Sequence, residues 1–352
     1  MHFGKLSSGF IAALTGIALT ALATPAPAAE YTLRFAAINA AETTPYAKVL
    51  VPFARAIERD SGGRIEIALK PLGGYGKAAE YFNMVEKGEL DMASTVQGYN
   101  PGRFPQSSVM ELPLMFDNAV AGSQALWGLY KEGLLDKDYA SVKVLSLYVA
   151  PPFSIFTTGK KIASLRELRG MRVRSPGPTV GLALAKLGAI PLGIPVDMIG
   201  ESIANGTVDA IAYSVDSALG TKGAGDKYVA DQLSVLVDAA FASPAQMLVM
   251  NRAKWDSLPP DLQAVIEKNT PPLLTDNPRI REEMEQAAKK KIQADPRYTF
   301  VALTEDQRAE MQRLVAPAID DWKASMAKLG IDGEKLLARA HALVQQFKVA
   351  SN

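Results

Sequence analysis

Two six-residue stretches carry the same pattern: Glu86-Lys87-Gly88-Glu89-Leu90-Asp91 and Ala204-Asn205-Gly206-Thr207-Val208-Asp209. In each, a glycine closes a helical pattern and an aspartate follows three residues later, where an apolar run begins. Glycine ends a helix readily because it adopts the left-handed conformation that a C-terminal cap requires. Working outward, apolar spacing predicts helices over 78–87 and 195–205 and strands over 90–96 and 208–213. In the first unit, strands are expected over 32–37 and 65–72. Between them Tyr46, Val49, Leu50, Phe53 and Ile57 recur at helical spacing until Ser61-Gly62-Gly63 stops the helix. In the second unit a strand over 171–175, a helix over 180–187 and a strand over 189–192 repeat the plan. Each unit therefore reads β-α-β-α-β, which right-handed crossovers turn into a parallel sheet. The fold class is α/β, with two similar lobes and a ligand cleft at the carboxyl ends of the strands.

Ser164-Leu165-Arg166-Glu167 reads as a capping box opening a short helix. The last hundred residues read as mostly helical. Pro259-Pro260-Asp261 opens one helix, 277–294 forms a long charged one, Thr304-Glu305-Asp306-Gln307 caps another, and Gly333-Glu334 leads into the last. Within the charged helix, Lys289-Lys290-Lys291 opposite Glu282, Glu283 and Glu285 reads as a solvated face.

Composition removes many functions. There is no cysteine among 352 residues, which excludes thiol catalysis, Cys-ligated metals and disulfides. The two histidines, His2 and His341, cannot form a metal cluster, and no metal or cofactor is expected. With 38 Lys+Arg against 37 Asp+Glu there is no basic footprint for nucleic acid. His341 lies near an apolar stripe of Leu337, Ala340 and Val344 with no local nucleophile, so it reads as an ordinary helical residue. No G-x-S-x-G elbow or P-loop occurs, and Leu72-Gly73-Gly74-Tyr75-Gly76 reads as a strand-to-helix turn. No carboxylate pair stands out, so no enzyme activity is expected.

The N-terminus predicts export. Lys5 precedes an uncharged run from Gly9 to Ala23, followed by Pro25-Ala26-Pro27-Ala28-Ala29-Glu30. This is the pattern of a signal peptide cleaved after Ala28, and the run is too short for a membrane span. Its removal leaves 37 basic and 37 acidic residues and one histidine. Without a cysteine at the cleavage site no lipid anchor is expected, and a long exported chain free of disulfides fits a periplasm. Residues 175–196 hold a single charge, Lys186, but Pro176, Pro178, Pro191 and Pro195 break the run into core segments.

Arg174 is the candidate binding residue. It ends the strand Met171-Arg172-Val173-Arg174 just before the rigid turn Ser175-Pro176-Gly177-Pro178. From there a guanidinium can point its planar fork into an interlobe crevice and hold a carboxylate by two parallel bonds. The competing expectation is an ordinary surface charge.

Leu168-Arg169-Gly170-Met171-Arg172-Val173-Arg174-Ser175-Pro176 resembles the LKGMKIRVP signature of substrate-binding proteins from tripartite ATP-independent periplasmic (TRAP) transporters, the DctP-like family. Leu187-Gly188-Ala189-Ile190-Pro191 and Asn205-Gly206-Thr207-Val208-Asp209 are similar to two further family motifs. Glu86–Asp91, Glu111-Leu112-Pro113, residues 251–263 and Gly330-Ile331-Asp332-Gly333 add to the ordered set. The resemblance implies a two-lobed periplasmic binding protein with a hinge. Lobe I would comprise 29–151 and 240–279, and lobe II 152–239 and 280–352 with the C-terminal helices. It also implies a small organic acid as ligand, a membrane permease as partner and a monomeric chain, with the motif arginine, Arg174, on the substrate carboxylate.

Departures from the family pattern bear on the ligand. A second family arginine falls at Ser154, and Tyr213 stands where an asparagine often contacts the carboxylate. The first-lobe contact segment corresponds to Thr95-Val96-Gln97-Gly98-Tyr99. With Arg174, Tyr213, Tyr99, Gln97, Val96, Tyr75, Phe153, Ser154 and Val196 as candidate contacts, the pocket is expected to suit a monocarboxylate with an apolar or aromatic body. Arg103 is either a second positive contact or a loop anchor. The alternatives to a TRAP component are a binding protein of an ATP-driven importer and a cysteine-free periplasmic lyase or hydrolase.

Overall fold

The computed structural model describes residues 1, 29–159, 162 and 164–350. The expected leader, apart from its first residue, lies outside them. In chain order the strands are β1 (Tyr31–Ala37), β2 (Ile65–Lys70), β3 (Met92–Val96), β4 (Val142–Val149), β5 (Ser154–Thr157), β6 (Arg172–Ser175), β7 (Ile190–Gly193), β8 (Ala210–Tyr213), β9 (Val235–Asp238), β10 (Ala245–Asn251) and β11 (Thr299–Ala302). They form two sheets, ordered β2-β1-β3-β10-β4 and β11-β9-β5-β8-β6-β7.

The repeated plan is present in both. β1 pairs in parallel with β2 and β3, and β6 pairs in parallel with β7 and β8. Each sheet then takes one antiparallel strand that the local patterns did not predict. β10 enters between β3 and β4, and β5 between β9 and β8. All seven residues of β10 are buried, as befits a central strand covered on both faces. β11, also unpredicted, adds a parallel edge strand beside β9.

The paired Gly and Asp residues from the two quoted stretches do equivalent work. Gly88 and Gly206 have φ of 75° and 64°, the left-handed conformation of a helix stop. Asp91 accepts the Arg34 backbone N–H at 2.8 Å and its Nε at 3.0 Å. Asp209 accepts the Arg172 backbone N–H at 2.8 Å and its Nε at 3.0 Å. In both lobes the aspartate thus ties the start of one strand to its parallel neighbour.

The chain passes between the sheets at 150–153 and again at 239–244, and the two passages are bonded together. Phe153 N–H donates to Ala242 O at 2.9 Å, and Ser243 Oγ donates to Ala150 O at 2.6 Å. A third connection is the helix Pro271–Ala294, which begins earlier than the charge pattern suggested. It packs on β4 and the helix Ala119–Lys131 from the first sheet's side, and on the helix Val215–Gly220 and β11 from the second's.

Two sequence expectations need correction. Glu285 is buried rather than solvated, because Leu273, Asn277, Arg281, Glu285, Ala288 and Ile292 fall in helical phase on the inward stripe. Ser164 precedes only a single 3-10 turn, Leu165–Leu168, and its side chain makes no cap to the backbone. The capping box at Thr304 is present: Gln307 N–H donates to Thr304 Oγ1 at 3.2 Å, and Thr304 N–H to Gln307 Oε1 at 2.9 Å.

Candidate ligand-binding site

Arg174 lies at the carboxyl end of β6, between Leu192 of β7 and Ile211 of β8. It is 1% exposed. Its Nε donates to Ile194 O at 2.8 Å and its Nη1 to Ala212 O at 2.9 Å, so the guanidinium is held in one orientation. No carboxylate pairs with it among the described residues. Burial lowers its pKa, and the neighbouring Tyr99 and Tyr213 partly offset this. A guanidinium nonetheless stays protonated at any ordinary pH. The Tyr213 ring lies 5.5 Å from its Cζ and meets Phe153 edge-on at 6.0 Å.

Contacts from the first lobe close over this arginine. Val196 N–H donates to Tyr99 Oη at 3.0 Å, and burial pushes the Tyr99 phenol up to about 12. Ala78 N–H donates to Asp197 Oδ2 at 3.1 Å, and Thr44 Oγ1 donates to Asp216 Oδ1 at 3.1 Å. At the seam Gly98 faces Gly177. A Cβ on Gly98 would lie 2.8 Å from the Gly177 Cα, and one on Gly177 would lie 2.6 Å from the Gly98 Cα. Only a residue without a side chain permits this approach.

The enclosed space is a cavity of about 30 Å3 that brings together Arg174, Tyr99, Tyr213, Phe153, Val96 and Val196 from the expected set. Two larger grooves of about 320 and 310 Å3 flank the seam, but neither is lined by a cation. Of these three spaces, only the smallest is lined by Arg174. Three expected residues lie elsewhere. Tyr75 packs under Lys70 and donates to Ala68 O at 2.9 Å; Gln97 donates to Tyr139 Oη at 2.6 Å. Ser154 is buried in β5 opposite Tyr213 and does not line the cavity. Arg103 pairs with Glu86 and stacks over Phe82, which is the loop-anchor alternative.

Sequence reasoning missed Arg281, Gln246 and Asn39, all of which line the same cavity. Arg281 comes from the long helix, 4% exposed, and its Nε and Nη1 have no hydrogen-bond partner. The available signal was phase: Arg281 shares a helical face with Leu273, Ala288 and Ile292.

Among the described residues there is no acidic or histidine cluster able to hold a metal, and no helix long and apolar enough to cross a membrane.

Residues 35–325 match the family model DctP, described as bacterial extracellular solute-binding protein, family 7. A TRAP solute-binding protein from Rhodoferax ferrireducens, solved with copurified benzoate, is 28% identical with a TM-score of 0.85, covering 91% of this chain and 99% of that one. A marine metagenome TRAP solute-binding protein specific for aromatic acid ligands, in complex with 3-hydroxybenzoate, is 27% identical with a TM-score of 0.83, covering 91% and 99%. The C4-dicarboxylate-binding periplasmic protein DctP of Rhodobacter capsulatus is 22% identical over 319 residues, 89% of this chain and 92% of that protein.

Proposed function

The chain belongs to family 7 of the bacterial extracellular solute-binding proteins, the DctP family, and on that premise we propose that it captures a small organic monocarboxylate through a salt bridge from Arg174. Binding solute for transport, and not catalysis, is what this family does. One observation carries the assignment of Arg174: a fully buried guanidinium, oriented by two backbone carbonyls, faces the interlobe cavity without a carboxylate of its own. A buried charge left unpaired is costly, and a ligand carboxylate is the counter-ion that removes the cost. Phe153, Val96, Val196 and the Tyr213 ring supply an apolar wall, which suits an acid with an aromatic or apolar body.

Capture proceeds by opening and closing. A cavity of about 30 Å3 holds little more than water, so the acid enters when the lobes part. Closure then rebuilds the bonds from Val196 to Tyr99 and from Ala78 to Asp197 over it. The two passages at 150–153 and 239–244 are the hinge, and the lobes divide as 29–151 with 240–279 and 152–239 with 280–352. The closed form delivers the acid to the membrane permease of a TRAP transporter. The working protein is a monomer in the periplasm, exported by a leader cleaved after Ala28. N-terminal sequencing of the exported protein checks the cleavage, with Ala29 expected first.

Titration calorimetry of Arg174→Ala tests the assignment. Loss of the partner of a desolvated carboxylate costs about 2–5 kcal/mol, roughly 30-fold to several thousandfold in Kd. An unchanged affinity would remove Arg174 from the site.

A further inference from the structure

We propose that Arg281, Gln246 and Asn39 form a second polar subsite in the Arg174 cavity, which selects acids bearing a second oxygen substituent. This rests on the carboxylate role given to Arg174 above.

Three separate elements bring these groups to one cavity: the helix Pro271–Ala294, β10 and the segment following β1. Arg281, Gln246 and Asn39 are 4%, 5% and 8% exposed. Arg281 Nε and Nη1, Gln246 Oε1 and Asn39 Oδ1 all have no hydrogen-bond partner. Buried polar groups are almost always satisfied, so several orphans around one cavity point to a partner that enters it.

The protein's own acids near Arg281, Asp216 and Glu285, act on its charge from a distance but make no salt bridge or hydrogen bond with it. Glu285 accepts the backbone N–H groups of Val215 and Asp216 at 3.0 and 3.1 Å. Asp216 Oδ1 accepts the Thr44 hydroxyl at 3.1 Å. What faces Arg281 otherwise is aromatic, with the Tyr148 ring 5.6 Å from its Cζ. A monocarboxylate held on Arg174 leaves the orphans as they are. A hydroxyl, keto or second carboxylate oxygen accepts from the Arg281 fork. Gln246 and Asn39 can turn either the oxygen or the nitrogen of their amides toward it. The long helix that carries Arg281 packs against elements of both sheets.

Benzoate, 3-hydroxybenzoate and benzene-1,3-dicarboxylate, titrated against the intact chain and its variants, test this. Thermal unfolding without ligand monitors the fold of each variant. The unmodified chain should bind at least one oxygen-bearing acid more tightly than benzoate, and the hydroxy and dicarboxylate arms show which oxygen is preferred. Arg281→Met should weaken the substituted acids by about 10- to 150-fold while changing benzoate by less than about threefold. Arg281→Lys keeps the charge but loses the fork, and should fall between. Gln246→Met should reduce the same preference by a smaller factor, and it decides the matter if Arg281→Met does not fold. Equal loss for all three acids would overturn the subsite, because Arg281 would then share the one carboxylate with Arg174. Unmoved affinities would overturn it too, leaving Arg281 a structural residue. If the unmodified chain binds none of the three, the carboxylate role itself fails. If Arg174→Ala abolishes binding but the preference ignores Arg281 and Gln246, only the subsite fails.

Discussion

The two lobes open with the same device and diverge two residues later. In the first, Arg34 is tied to Asp91 and the strand continues to Ala36, fully buried in the core. In the second, Arg172 is tied to Asp209 and the strand continues to Arg174, at the cleft. A side chain two residues along a strand returns to the same face, so Ala36 and Arg174 are structural counterparts. The shared aspartate sets the register of the parallel strands; the second position is then free to specialise. Architecture is duplicated in this molecule, and the tethered cation at the end of the strand belongs to one copy.

The most severe test of that asymmetry is to copy the second lobe into the first. Ala36→Arg places a charge at a fully buried core position. It should cost about 3–5 kcal/mol in denaturant unfolding, or prevent folding. A protein of near-normal stability would show that the counterparts are interchangeable. The seam asks the opposite question, because Gly98 and Gly177 obstruct each other equally. Gly98→Ala and Gly177→Ala should each weaken ligand binding by about tenfold, within the roughly 1–3 kcal/mol range of overpacking, with little change in ligand-free stability. A loss from one side only would mean that closure is led by one lobe.

The aspartates provide a finer comparison. The Asp91 side chain is 3% exposed and that of Asp209 is 38% exposed. Asp91→Ala strands the sheltered backbone N–H of Arg34, while the Arg34 guanidinium remains half-exposed, so about 1–3 kcal/mol of stability should be lost. Asp209→Ala should cost less, since water replaces the missing oxygens; equal losses in thermal unfolding would contradict the difference in burial.

A last comparison concerns pH. Burial raises both Glu111 and Glu285 to about 7. The sign follows from the carboxylic acid being favoured in the folded chain over its ordinary unfolded pKa of about 4.3. This contribution to stability is complete below the unfolded value and is lost as pH rises through about 7. The ligand-free melting temperature should therefore fall between about pH 5 and pH 7.5. Glu111→Gln should flatten part of that slope and Glu285→Gln another part. A slope indifferent to both substitutions would assign it to other groups.

Legibility from sequence divides along the same line as the lobes' design. The repeated β-α-β-α-β units were readable because glycine stops, aspartate starts and apolar periods are local. β5 and β10 were not, since an antiparallel strand inserted from a distant part of the chain is specified by its partners. The β10 run Ala245–Asn251 is apolar enough to pass for any buried segment. Arg174 could be singled out from its place before a Pro-Gly-Pro turn. Arg281 could not, because a charged helix reads as solvated until its neighbours reveal which face is inward. Burial of an ionisable group is a tertiary property, and counting charges along the helix averaged it away.

The placement of β10 also has a consequence for synthesis. It lies between β3 and β4, yet it follows β9 in the chain. A nascent chain that has extended through β9 still has no central strand for its first sheet, and β3 and β4 have no partner on their facing edges. The ribosome must deliver residues 245–251 before the earlier lobe can close, so its first half cannot mature ahead of its second. In a chain laid out this way, order of translation and order of completion are decoupled, and both lobes reach their finished form late.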